Sequence, residues 1–149
     1  TAAQKYAKEF RDVFPEMVER ANRLRILVPS KKVPESLQRY LSEASRCYVY
    51  GFMLASVVIC RAAIEEAVKR RLIDIGKQEE VDKDDRLVAM LCLAKKAGLL
   101  DQRRFEWADD IRKKAGMAVH GKEIPEDKDC MDALHKTRGI LEHLYGRLQ

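Results

Sequence analysis

The sequence predicts an all-α protein, an antiparallel helical bundle of five or six helices, and three observations carry that expectation. Apolar residues recur at three- and four-residue steps along most of the chain. No stretch alternates apolar and polar residues between hairpin turns, and no internal repeat or low-complexity run appears. Proline and glycine punctuate the apolar stripes where helices would begin and end, as at Pro34, Gly76, Gly98 and Pro125.

The first stripe, in residues 2–27, contains Tyr6, Phe10, Val13, Phe14, Met17, Val18, Ala21 and Leu24 and predicts an amphipathic helix. Pro15 lacks the amide donor that a helix interior needs, so it is expected to kink or split that helix. A linker follows through Pro29 and Ser30 to Val33. Pro34 suits the first turn of a second helix, with Leu37, Tyr40, Leu41, Ala44 and Tyr48 on one face and Glu35 placed for the dipole. From Cys47 to Cys60 the chain contains no charge; the run falls short of the about 20 residues that cross a bilayer, and predicts a helix over 51–72 buried on all sides.

Gly76 marks the end of that helix, and residues 77–85 read as a charged loop. Asp84 and Asp85 then open a helix with the core face Leu87, Val88, Leu91 and Ala94, closed by Lys95, Lys96 and Gly98. Asp101 is an N-cap for the next helix, whose inward positions are Phe105, Ala108, Ile111 or Arg112, and Ala115; Gly116 and Gly121 leave its end open. Pro125 begins the last helix, with Cys130, Leu134, Leu141, Leu144 and Leu148 as its stripe. Residues 1–33 are thus an N-terminal amphipathic extension and linker, and 34–149 a bundle, packed together as one domain.

On the helical wheel Arg61 shares a stripe with Leu54, Val58, Val68 and Leu72, and Glu65 lies one turn on. A lone buried ion costs several kcal/mol, so Arg61 and Glu65 are expected to form a buried pair, with each other or with a neighbouring helix. Cys47, Cys60, Cys92 and Cys130 form no Cys-x-x-Cys motif; they read as free thiols, with Cys60 and Cys92 buried, rather than as a metal site or disulfides. With no membrane span or secretion signal in sight, the expected location is the cytoplasm. The net charge of +5 permits a polyanionic partner without demanding one.

Phosphate-cradling glycine loops, His-Glu-x-x-His and the nucleophile elbow are all absent from the sequence. His135 and His143 lie off the apolar stripe and read as solvated. His120 differs, because it ends a segment of small residues that begins at Arg112. On a continuous helix these two would lie about 12 Å apart along the axis and about 80° around it. They would meet only if the helix bent near Gly116, or through a phosphate or a second subunit.

This chain resembles the HEPN superfamily of helical domains, and within it a bacterial branch of unknown function. The resemblance rests on Pro34, Glu43-Ala44, Cys47-Tyr48, Arg61 and Glu65 of an Arg-x-x-x-Glu motif, and Arg112 leading to His120. It covers about 34–148 and leaves the first helix outside. It implies an antiparallel helical bundle, frequently dimeric, in bacterial defence, toxin–antitoxin and RNA-processing systems, with a defence protein fused to it or bound beside it. Active members are metal-independent ribonucleases without cofactors, which implies Arg112 as the phosphate-holding and His120 as the acid–base catalytic residue; Arg grips phosphate bidentately and histidine titrates near neutrality. Active members have a shorter Arg-to-His interval with a polar residue after the Arg, whereas here seven residues intervene and Lys113 follows. The first expectation is therefore a non-catalytic module, the second an endoribonuclease, and the third a nucleotide- or RNA-binding groove at Lys113, Lys114 and Lys122.

Overall fold

The computed structural model describes residues 1–24 and 31–146. Among these the protein is all-α, with seven helices and no strand: α1 (Ala2–Leu24), α2 (Glu35–Tyr50), α3 (Met53–Asp74), α4 (Gln78–Lys83), α5 (Leu87–Lys96), α6 (Gln102–Val119) and α7 (Asp127–Gly146). The linker residues Pro29 and Ser30, and Leu148, lie outside the described residues. The seventh helix is α4, where the sequence reads as a charged loop. Its one buried side chain, Val81, packs under α3, and a single apolar residue in six leaves no periodicity to detect.

Helix α3 is the centre, in contact with α2, α4, α5, α6 and α7. Its buried stripe runs through Val57, Cys60, Ile64, Ala67, Arg71 and Leu72. The expectation of burial on all sides is corrected, since Leu54 is exposed and Val58, Arg61, Ala62 and Glu65 are only half-buried. Leu37, Leu41, Ala44 and Tyr48 bring α2 against α3, and the Ser56 hydroxyl donates to the Ala44 carbonyl at 2.8 Å. A hydroxyl buried between two helices keeps its hydrogen bond in this way, and the backbones come close.

Gly51 separates α2 from α3. Its φ of 89° is left-handed, and the amides of Gly51 and Phe52 donate back to Tyr48 and Cys47 at 3.0 and 2.7 Å, a Schellman closure. A Cβ there would also lie 3.1 Å from the Arg20 guanidinium, so glycine serves both the turn and the docking of α1. The expected stops at Gly76 and Gly98 carry the same pair of bonds.

Pro15 neither splits nor ends α1, which is continuous from Ala2 to Leu24. The helix is solvent-exposed around it, so the carbonyl that proline leaves without a donor can bond to water. Only Met17, Arg20 and Leu24 of α1 are buried. Arg20 Nε donates to the Val49 carbonyl at 2.9 Å, and Arg23 reaches Asp127 at 3.2 Å.

Two further expectations shift. Helix α5 starts at Leu87, after Asp84 and Asp85, and buries Met90 where Val88 was expected. Cys92 is exposed, while Cys60 and Cys130 are buried and Cys47 is half-buried. Burial pushes both the Cys60 and the Cys130 thiol up to about 12, which suppresses the reactive thiolate at neutral pH. Maleimide at pH 7 is expected to modify Cys92 promptly and Cys60 and Cys130 only on unfolding; mass spectrometry showing rapid native-state labelling of Cys60 would contradict the packing.

Candidate functional site

Helix α6 carries the residues singled out for chemistry. Asp101 caps it as expected, its carboxylate accepting from the Arg104 amide at 2.8 Å. Ala108, Ile111, Ala115 and Ala118 face the core, which resolves the choice between Ile111 and Arg112: Ile111 is inside and Arg112 half-exposed. The helix is unbroken through Gly116 to Val119, and His120 is its exposed C-terminal cap. Arg112 and His120 therefore stand eight residues apart on one continuous helix, about 12 Å along an ideal axis.

Arg112, Lys113 and Lys114 of α6 are each engaged with an acid one turn earlier. Arg112 lies 2.8 Å from Asp109 and Lys113 3.0 Å from the other oxygen of the same carboxylate. Acid preceding base at this spacing is the favourable order on a helix. Burial disfavours the Asp109 charge, yet the bonds from Lys113 and Arg112 outweigh it and hold its pKa below the ordinary value. Lys114 contacts Asp110 at 3.2 Å, Asp132 at 3.6 Å and Asp129 at 3.9 Å. Lys136 of α7 completes the network with Asp132 at 2.8 Å and Asp110 at 3.2 Å. Burial opposes the Lys136 charge, but its two carboxylate bonds outweigh that effect and raise its pKa. These groups lock α6 to α7.

Lys122 is exposed and makes no ion pair among the described residues. The groove of about 260 Å³ beside Lys113 and Lys114 is lined as much by acid as by base, with Asp110, Glu123 and Asp129, and takes in neither Arg112 nor His120. His135 is exposed as expected, whereas His143 is half-buried.

The expected buried pair is corrected. Arg61 and Glu65 are half-buried and form no ion pair with each other. The buried cation of α3 is Arg71, 7% exposed, which donates from Nε to the Leu144 carbonyl at 3.0 Å and from a terminal nitrogen to Asp74 at 3.0 Å, and lies 5.6 Å from the Tyr145 ring centre. A signal for it was present: Val57, Cys60, Ile64, Ala67 and Arg71 follow steps of three and four. Arg20 of α1 is likewise buried, against α2, where the stripe through Met17 and Leu24 carries it inward.

Among the described residues no helix is long and apolar enough to cross a membrane. No curated protein and no solved structure matches the chain. A family model described as a domain of unknown function, DUF4145, matches residues 42–149.

Proposed function

Because the chain belongs to the DUF4145 family of domains of unknown function, whose matched segment contains all the chemistry-bearing residues above, we propose that it is a non-catalytic, HEPN-like helical bundle. It works by association, as a dimer, in the cytoplasm within a bacterial defence or nucleic-acid-processing system. The observation that carries this reading is the neutralisation of α6: Arg112 and Lys113 share the Asp109 carboxylate, and Lys114 is held by α7 acids. A phosphate would have to displace a carboxylate from Arg112, and His120 stands two turns away.

The competing reading, a metal-independent endoribonuclease, draws on the exposure of His120 and would need a second chain to set its imidazole beside Arg112. Incubation with RNA in excess chelator separates the two. The expected result is intact RNA with the wild-type chain, His120→Ala and Arg112→Ala alike. Chelator-resistant cleavage that disappears in His120→Ala would replace the module by the nuclease.

A further inference from the structure

Helix α1 leaves most of its apolar side chains in water. Tyr6 is 66% exposed, Phe10 55% and Phe14 51%, and beside them Phe52 at the α2–α3 corner is 61% exposed. Between α1 and that corner runs a groove of about 560 Å³, walled by Tyr6, Phe10, Met17, Tyr50, Phe52 and Met53. With about 150–250 Å² for a whole aromatic residue, Tyr6, Phe10, Phe14, Tyr50 and Phe52 together offer on the order of 500 Å² of surface, as large as the largest patch on a typical monomer.

We infer that this surface is covered by α1 of a second copy, laid antiparallel. Along α1 the apolar residues Ala3, Ala7, Phe10, Phe14, Met17, Ala21 and Leu24 repeat in alternating steps of four and three, the spacing of a two-helix seam. The repeat is self-complementary when reversed about residue 12. Phe10 then meets Phe14 of the second copy, Tyr6 stands level with Val18, and the small Ala7 and Ala3 come over Met17, already buried on its own body, and the exposed Ala21.

Lys5, Lys8, Glu16 and Glu19 lie on the side of α1 away from the seam, so the direction follows from the repeat itself, which sets Phe10 against Phe14 only when the two helices run antiparallel. A two-fold pair buries about 1,000 Å², the lower bound for a specific interface. The α1 side of the interface lies outside the family-matched residues, whereas Tyr50, Phe52 and Met53 lie within them.

The inference deepens the association reading and rests on it. Light scattering on the eluting chain is expected to give twice 17.2 kDa. Phe10→Glu and Phe14→Lys, both at exposed positions and checked for helix content by circular dichroism, should each raise the dimer dissociation constant by more than about tenfold. The double variant, which sets the introduced carboxylate of one copy against the introduced ammonium of the other, should recover the dimer. A double variant that stays monomeric overturns the antiparallel register, and a dimer indifferent to both single changes overturns this surface while leaving the association reading in place. A monomeric wild type overturns both. Should the variants unfold, amide exchange of wild-type residues 3–14 decides: exchange that slows at high concentration supports the pairing, and concentration-independent exchange defeats it.

Discussion

Arg71→Ala is expected to lower the unfolding free energy by about 2–4 kcal/mol, read as a fall in the urea midpoint at unchanged slope. The guanidinium is nearly sealed from solvent, donates to the Leu144 carbonyl and lies 5.6 Å from the Tyr145 ring centre, joining α3 to α7. Charge-assisted hydrogen bonds contribute about 1.5–3 kcal/mol, and a buried cation–π contact adds up to about 2. Arg71→Met keeps the aliphatic stem and should cost less. Asp74→Asn should cost least, because that carboxylate is more than half exposed. A loss below about 0.5 kcal/mol for Arg71→Ala would place it among ordinary surface residues.

Tyr48→Ala is expected to cost about 3–5 kcal/mol, the range for deleting a buried aromatic ring. The ring is wholly enclosed by α2's neighbours, and its hydroxyl donates to Asp127 at 2.8 Å, the carboxylate that also receives Arg23 from α1. Tyr48→Phe keeps the ring and should lose only about 1 kcal/mol. Burial first, and then the bond to Asp127, push the phenol up to about 12. A raised pKa means that the folded state favours the neutral phenol. That contribution is complete below the unfolded value near 10 and disappears as pH rises from about 10 through 12. Wild type should therefore lose stability across that window more steeply than Tyr48→Phe; parallel alkaline profiles would show that the phenol is not held neutral by the fold.

The sequence made the helices legible because their ends are chemically marked. Pro34, Gly76, Gly98 and the Asp101 cap each fall at or beside an observed boundary. It was less informative where a local rule yields to solvent or to a neighbour. Pro15 stays helical because its surroundings are wet, and Met90 is buried in place of Val88 because it lies nearer on the helical wheel to the stripe of Leu87, Leu91 and Ala94. The buried charge was placed on the wrong side of α3. Composition offered two stripes, one through Arg61 and one through Arg71, and only the packing of α7 against α3 selects between them. The state of α6 was hidden for a related reason. Asp109 can be paired with Arg112 and Lys113 by counting along the helix, but Asp129 and Asp132 reach Lys114 from another element.

The family match opens at Ser42, in the middle of α2. Leu37 and Leu41, just upstream, are wholly enclosed, and so is Val33 before the helix begins. A recognisable segment and a folding unit thus have different edges. A fragment excised at the start of the match would carry a severed helix and an open core, and would be expected to aggregate; trimming that spares the chain from Val33 onward keeps α2 whole.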